Sequence, residues 1–404
     1  MVSSTSGSLE GLRGHNRERV VHALSRSGLA SRAELARLTG LSRTTVSSLV
    51  AELIGAGLVV EREDVPGAAP GPGGGRPPVL LALDRSAGSA VGVDFGHSHI
   101  RVAVADLSHT VLAEEVIDFD VDGESAAALD RACALVEDAI EQAGVARAAV
   151  VGVGVGLPGP IRLGSRMLGS PTILPGWTGM RIADVLEERL GLKVMLENDA
   201  NLGALAELSF GAARGERFAV YVRAYSGIGA GLICDGRLYR GADGTAGELG
   251  HVIIDESGPV CRCGNRGCLE TVAAEGAILD LLRRTHGDDL TFPRVVELAA
   301  GGDAACRRVI ADAGHQIGVA VANLCNIFNP SMVVVGGTLS GAGDLLLDPL
   351  RDAVSRYAIA SAAQDVSVVR GVLGERAEVL GALALVFAEG EGAFPLRVAV
   401  GGAA

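Results

Sequence analysis

The 404-residue sequence predicts an α/β protein, in which a two-lobed body follows an N-terminal winged helix-turn-helix domain. Three helical segments and a glycine- and proline-rich hairpin account for residues 15–83. From Ala90 onward, short apolar strands alternate with helices, and the order strand-strand-strand-helix-strand occurs twice. This repetition indicates two similar lobes with a cleft between them. The predicted division is a mobile tail at 1–14, the winged domain at 15–83, a first lobe at 88–198 joined by a C-terminal helix at 376–390, a second lobe at 199–375, and a mobile tail at 391–404.

The N-terminal helices carry local signals of a helix-turn-helix. A first helix is predicted near residues 15–27. Ser31 and Glu34 form a capping box at the start of the second helix, and Gly40 ends that helix in a left-handed turn. Ser42 caps the third helix. The buried stripe of this third helix consists of Val46, Leu49, Val50 and Leu53.

The other face of the third helix is small and polar, which lets a helix enter the major groove of DNA. The wing tip is predicted at residues 66–78, where Arg76 lies in an extended segment that fits a minor groove. The predicted DNA-contacting residues are Arg43, Thr44, Thr45, Ser47, Ser48 and Arg76. The alternative is that the three helices form only a packing or dimerisation module.

The charge distribution restricts any DNA contact to this N-terminal part. Residues 1–82 carry nine arginines and seven acidic residues, whereas the remainder holds 26 basic and 41 acidic groups. The acidic body cannot lie on a phosphate backbone. The sequence also shows neither a secretory signal nor an apolar run long enough to span a membrane, so we expect a soluble, cytoplasmic protein.

Three of the seven cysteines form a tight group with one histidine. His251, Cys261, Cys263 and Cys268 supply one imidazole and three thiolates within 18 positions. Four nitrogen and sulfur ligands at this spacing suit tetrahedral zinc, and no position is left for water. We therefore expect a structural Zn²⁺ at these four residues, with free thiols in a loop as the alternative.

Each predicted strand unit begins with a glycine turn. The first covers residues 94–96 and the second residues 226–229. Two such turns facing each other can hold the phosphates of a nucleotide, although glycine-rich hairpins are also common in β-rich chains.

Taken together, these motifs resemble the ROK family, which comprises repressors, open reading frames and sugar kinases. The most specific match is G-E-L-G-H at 247–251, followed by C-x-C-G-x-x-G-C-x-E at 261–270. Supporting matches are G-L-P-G at 156–159, E-N-D-A-N at 197–201, N-P at 329–330 and V-G-G at 335–337. The resemblance extends from the winged domain to about residue 390. It implies a duplicated RNase H-like body of actin-like or hexokinase-like architecture.

The resemblance also implies a sugar site. The residues that match the sugar-binding positions of the family are Asn198, Asp199, Glu248, His251 and Glu270. Carboxylates and amides are well suited to form hydrogen bonds with vicinal hydroxyl groups. His251 would use one ring nitrogen for the metal and offer the other to the sugar. The alternative for Asp199 is an N-terminal cap of the helix that follows it.

The family contains both kinases and regulators. Its kinases carry a first phosphate loop of the form Asp-x-Gly-Gly-Thr, whereas this chain has His97 at the second glycine. Asp199 matches the catalytic base of the kinases. We expect no enzyme but a sugar-responsive transcription regulator of carbohydrate genes, acting as a repressor. It would bind a palindromic double-stranded operator as a homodimer or homotetramer. The alternatives are an ATP-dependent sugar kinase with an accessory DNA-binding module, and a regulator whose inducer is a protein partner.

Overall fold

The computed structural model describes residues 9–62, 79–162, 164–169 and 172–390. The predicted wing tip with Arg76 and the tail at 391–404 lie outside these described residues. Within the described part of the chain, no helix is both long and apolar enough to cross a membrane.

The N-terminal domain consists of three helices and a small antiparallel sheet. Its elements are α1 (Leu9–Ser27), β1 (Ala30–Ser31), α2 (Arg32–Thr39), α3 (Arg43–Gly55), β2 (Val59–Arg62) and β3 (Leu80–Leu83), with the strand order β1-β3-β2. The capping box of Ser31 and Glu34 is present, and Gly40 ends α2 with φ 67°. Ser42 caps α3, whose predicted apolar stripe is buried. These local predictions are confirmed.

The first helix begins earlier than predicted. Because α1 starts at Leu9, residues 9–14 are helical rather than part of a tail. On this additional turn, Arg13 forms an ion pair with Glu52 of α3. That partner lies far along the chain, so the apolar periodicity of the first helix does not reveal it.

The first lobe contains a five-stranded sheet in the order β10-β7-β4-β5-β6. β4, β5 and β6 are antiparallel, whereas β4, β7 and β10 are parallel. α4 and α5 pack on one face of this sheet. Its elements are β4 (Ser89–Phe95), β5 (His99–Asp106), β6 (Val111–Asp118), α4 (Ser125–Gln142), β7 (Val150–Leu157), α5 (Ile182–Leu190) and β10 (Val194–Asn198), with a hairpin of β8 (Ile161–Arg162) and β9 (Met167–Leu168) between β7 and α5.

The second lobe contains a sheet in the order β13-β12-β11-β14-β15. It is more elaborate than the predicted repeat, because four helices separate β13 from β14 and an additional parallel strand, β15, follows. Its elements are α6 (Asp199–Ser209), β11 (Phe218–Ala224), β12 (Ile228–Cys234), β13 (Arg237–Leu238), α7 (Glu270–Ala273), α8 (Glu275–His286), α9 (Phe292–Ala300), α10 (Ala304–Phe328), β14 (Met332–Gly336), α11 (Asp344–Tyr357), α12 (Ala360–Ala363) and β15 (Ser367–Arg370).

The last helix, α13 (Ala377–Gly390), returns to the first lobe. It lies so close to β7 that a Cβ at Gly154 would stand 2.1 Å from the carbonyl oxygen of Ala382. It approaches α6 equally closely, since a Cβ at Gly381 would stand 2.0 Å from the carbonyl oxygen of Leu202. The buried residues of α13 belong to one apolar cluster with those of the winged domain. α13 therefore packs against elements of both lobes, and its apolar residues belong to the cluster that continues into the winged domain.

Candidate functional site

A cleft between the two lobes contains every residue predicted to contact a sugar. The chain order separates these residues, since two lie where β10 meets α6, two lie in the turn before the cysteine loop, and one begins α7. They line a common pocket together with the second glycine turn. The predicted residues in this pocket are Asn198, Asp199, Glu248, His251 and Glu270.

Asn198 is held at both ends of its side chain. Its Oδ1 accepts a hydrogen bond from the backbone N–H of Asn201 at 3.1 Å, which makes Asn198 the N-terminal cap of α6. Its Nδ2 donates to the carbonyl oxygen of Gly159 at 2.9 Å. The cap that the sequence left open for Asp199 thus belongs to Asn198, and Asp199 is the first helical residue. The two hydrogen bonds fix the amide at the edge of the pocket.

Asp199 belongs to a buried ion-pair triad that the sequence did not predict. Arg223 of β11 places Nη1 3.3 Å from Asp199 Oδ2 and Nε 2.8 Å from Glu378 Oε1 of α13. All three side chains are at most 12% exposed. Asp199 and Glu378 hold the pKa of Arg223 above its ordinary value, although burial opposes this. Arg223 also lines the pocket, so its guanidinium lies beside the Asp199 carboxylate there.

Glu270 and Arg262 face each other at the pocket wall. Arg262 lies between two cysteines of the loop, and its Nε stands 3.2 Å from Glu270 Oε1. The other carboxylate oxygen of Glu270 fits against Gly227, where a Cβ would stand 2.8 Å from it. The glycine in the second turn therefore leaves space for the Glu270 carboxylate. A guanidinium on the cysteine loop was missed because motif matching considers the cysteines and not the residue between them.

Glu248 is a carboxylate of the pocket whose pKa is raised by its surroundings. Burial, reinforced by the negative charges of Asp199 and Glu270, raises the pKa of Glu248 to about 7. Its Oε2 lies 3.8 Å from Nε2 of His251. Three acidic side chains around one pocket are suited to accept hydrogen bonds from several hydroxyl groups.

The predicted Cys/His cluster is assembled at one edge of the cleft. The ligand atoms of His251, Cys261, Cys263 and Cys268 all lie within 4.8 Å of one another. The Cys261 sulfur is 3.6 Å from His251 Nδ1, and the sulfurs of Cys263 and Cys268 are 3.6 Å apart. One metal ion at about 2.3 Å from each sulfur spans such distances. His251 thus directs Nδ1 toward the cysteines and Nε2 toward Glu248, so the donor set fits a metal ion.

The first glycine turn is covered by one histidine, and a second histidine beside it turns away. His99 Nε2 lies 3.0 Å from Asp94 Oδ2, and its ring covers Gly96, where a Cβ would stand 2.2 Å from that ring. The hydrogen bond to Asp94 raises the pKa of His99. His97, the residue that the sequence singled out, turns to Asp122 at 2.8 Å and borders the cleft. His99 is the residue that sequence reasoning missed here.

The predicted DNA-contacting residues in the described part of the chain lie on the first turns of α3. Arg43, Thr44, Ser47 and Ser48 are exposed. Thr45 is half-buried, and its hydroxyl lies 2.8 Å from that of Ser42 at the helix cap. Arg13 of α1 donates a hydrogen bond to the Ser48 hydroxyl at 3.5 Å. The exposed side chains of Arg43, Thr44 and Ser47 point away from the buried stripe, as contact with a DNA groove requires.

The fold and the cleft place the chain in a class of proteins with a two-lobed α/β body and an N-terminal winged helix domain. A model described as the ROK family matches residues 90–389, and a MarR family model matches residues 19–69. The chain belongs to the ROK family. The body therefore has the actin-like or hexokinase-like fold that the sequence predicted.

Named relatives include both regulators and kinases. The chain is 32% identical to a xylose repressor of Caldicellulosiruptor bescii over 392 residues, which covers 93% of this chain and 96% of that protein. A crystal structure of a ROK family transcriptional regulator, described as a homologue of the E. coli MLC protein, matches with a TM-score of 0.77 and 27% identity, covering 95% of this chain and 98% of the other. A ROK family glucokinase from Streptomyces griseus, in complex with glucose and AMPPNP, matches with a TM-score of 0.65 and 29% identity, covering 74% of this chain and 99% of the other.

Proposed function

We propose that the chain is a sugar-responsive transcriptional repressor of carbohydrate genes, which binds DNA through its winged domain and senses a sugar in the cleft. The observation that carries the proposal is the convergence of the five predicted sugar-binding residues on one pocket, in a chain whose third helix exposes a small polar face. The names of the relatives support it, because a xylose repressor is similar over nearly the full chain.

The chemistry of the pocket suits a polyhydroxylated ligand. Asp199, Glu248 and Glu270 offer carboxylate oxygens, and Arg223 and Arg262 offer N–H donors. A sugar hydroxyl both donates and accepts hydrogen bonds, so it can satisfy a carboxylate and a neighbouring guanidinium together. Because both arginines are already paired with carboxylates, we expect the pocket to prefer a neutral sugar over a sugar phosphate.

We assign Zn²⁺ to the Cys/His cluster. Three thiolates favour zinc over hard cations, and four protein ligands leave no coordination position for a reactant. The ion would hold the ring of His251 so that Nε2 faces the pocket, and it would fix the loop that carries Arg262. Its role is therefore structural, at the wall of the sugar site.

A kinase is the second candidate, because Asp199 matches a catalytic base and the family includes glucokinases. Two features of the cleft favour the regulator. Arg223 Nη1 lies 3.3 Å from Asp199 Oδ2, so a guanidinium already occupies one oxygen of the carboxylate that would act as the base. His99 covers the first glycine turn and pairs with Asp94, so phosphates would have to displace the ring. We therefore propose no phosphoryl transfer.

We propose that two or four copies present paired α3 helices to a palindromic operator. The sugar would alter operator affinity by preferring one orientation of the two lobes. The shared apolar cluster connects the winged domain to the body. In the linker between β3 and β4, Arg85 Nε also lies 3.5 Å from the buried Asp106 Oδ2 of the first lobe. The predicted base or phosphate contacts are those of Arg43, Thr44, Thr45, Ser47, Ser48 and Arg76.

The test begins with DNA selected by the full-length, zinc-loaded protein from random duplexes. Affinity for the selected duplex is then measured with D-xylose, D-glucose, N-acetylglucosamine and N-acetylglucosamine 6-phosphate. We expect one neutral sugar to weaken DNA binding and Glu270→Ala to abolish that response. Glu256→Ala, an exposed acidic residue of the same region, is the matched control.

Other outcomes discriminate between the alternatives. DNA binding that no sugar changes would redirect the search to a protein inducer. Sugar-dependent ATP turnover that Asp199→Asn abolishes would instead establish the kinase.

A further inference from the structure

The second lobe contains another cluster of metal-ligating side chains, outside the cleft. His286 is the last residue of α8, Asp303 caps the N-terminus of α10, and Cys306 lies in the first turn of α10. Their ligand atoms lie within 4.8 Å of one another. His286 Nε2 is 3.1 Å from Asp303 Oδ2 and 3.8 Å from the Cys306 sulfur. Three donors of different chemistry, from two separate helices, therefore face a common point.

The hydrogen bonds around His286 orient its lone pair toward this point. The hydroxyl of Thr285 donates to the carbonyl oxygen of Leu282 at 3.0 Å, and Thr285 Oγ1 itself lies 2.8 Å from His286 Nδ1. Because a hydroxyl has one proton, Thr285 accepts the Nδ1–H of His286. In the neutral imidazole, Nε2 then carries no proton and faces the oxygen of Asp303. His286 Nε2 and Asp303 Oδ2 are then both hydrogen-bond acceptors, and they lie 3.1 Å apart. Two acceptors at this distance require a cation between them, either a proton or a metal ion.

The position of the Cys306 sulfur favours a metal ion over a proton. A proton shared by His286 and Asp303 needs no third partner, whereas a zinc-like ion uses imidazole, carboxylate and thiolate together. With metal bonds of about 2.0 Å to nitrogen and oxygen and about 2.3 Å to sulfur, the observed separations correspond to angles of about 100° and 120°, near the tetrahedral value. Cys306 is fully buried, while the Asp303 side chain is 32% exposed and leaves a coordination position open to water.

We propose that His286, Asp303 and Cys306 form a second site for a zinc-class divalent metal ion. The ion binds Nε2, Oδ2 and the Cys306 thiolate, and the proton of the thiol is released to solvent. It fastens the end of α8 to the start of α10 and closes the segment that carries α9. Hydrogen bonding of Nδ1 by Thr285 holds the ring in the tautomer that such an ion requires.

The experiment is the zinc content of the full-length protein after dialysis against metal-free buffer. We expect two ions per chain for the wild type, one for Cys306→Ser and one for His286→Gln. Cys268→Ser loses the ion of the cysteine loop and keeps the other. The matched control is Cys325→Ser, a buried cysteine on the same helix that belongs to neither cluster among the described residues.

A second readout uses Co²⁺ in the Cys268→Ser variant. Sulfur-to-cobalt charge-transfer absorption must be present there and disappear when Cys306→Ser is added. The proposal is overturned if Cys306→Ser and His286→Gln leave the zinc content of the wild type unchanged, or if the cluster takes up metal only in large excess. In those cases His286 is an imidazolium held by Asp303 alone.

Discussion

Replacing Glu378 by glutamine tests how the buried triad behaves electrostatically. Glu378 lies on α13 with its side chain 8% exposed, and its Oε1 accepts the Nε–H of Arg223. Burial is the main cause that raises the pKa of Glu378 to about 7, reinforced by Asp94 and Asp199 and opposed by Arg223. Glutamine has nearly the same shape but cannot ionise, so the substitution removes the titration and leaves the packing in place.

The size of the effect follows from linkage. A carboxyl group whose pKa is raised on folding retains its proton in the folded chain after the unfolded chain has lost it. The contribution of Glu378 to the free energy of unfolding therefore falls as pH rises from about 4.5 to about 7. At about 1.4 kcal/mol per pH unit, the whole interval corresponds to about 3 kcal/mol. Glu378→Gln should match the wild type at about pH 4 and exceed its stability by up to this amount at pH 8.

The assay is urea unfolding at several pH values, followed by the fluorescence of Trp177. This residue is the only tryptophan, is fully buried, and packs against Phe95 in the first lobe, on whose sheet α13 also packs. Glu375→Gln is the matched control, because Glu375 is 81% exposed and should change stability by no more than about 0.5 kcal/mol at any pH. A stability difference between Glu378→Gln and the wild type that stays constant from pH 5 to 8 would refute the reasoning.

Four further predictions concern the cleft and the winged domain. Gly227→Ala places a Cβ against the Glu270 carboxylate. The substitution should weaken sugar binding about tenfold, as the loss of one hydrogen bond to a charged group does. Calorimetry measures the affinity, and an unchanged value would show that Glu270 is not a sugar contact. Asn198→Ala removes the cap of α6 and should cost about 1 kcal/mol, seen in the thermal midpoint, so an unaltered midpoint contradicts the capping role. Thr44→Ala should reduce DNA affinity without altering sugar affinity, and the reverse pattern would place the DNA contact elsewhere. Chelation of zinc should abolish sugar binding because His251 loses its fixed orientation, and retained binding would show that the ion is dispensable there.

Local signals account for the part of the fold that the sequence predicted. The capping box at Ser31, the left-handed Gly40 and the cap at Ser42 each depend on neighbouring residues, and the structure has them where they were expected. The start of α1 and the additional strand β15 were not predicted. In both cases the stabilising partner is distant: Glu52 for the first turn of α1 and β14 for β15.

The candidate site likewise has residues that local sequence motifs revealed and residues that they did not. The cysteine spacing and the motif at residues 247–251 indicated the Cys/His cluster and two of the residues that line the pocket, because short loops carry them together. Arg223, Glu378 and His99 escaped detection, since none belongs to a motif that the sequence makes visible. Glu378 stands 155 positions from Arg223, and only the return of α13 to the first lobe brings the two together.

By itself, then, the sequence determined the class of domains, the Cys/His cluster and the family, because periodicity, capping and ligand spacing are encoded within a few residues. Only the tertiary structure decided the charge balance of the cleft, where Arg223 pairs with Asp199 and His99 covers the first glycine turn. The physical reason is that ionisation and access depend on burial and on partners in space. Both arise when the two lobes and the last helix pack around a common cleft.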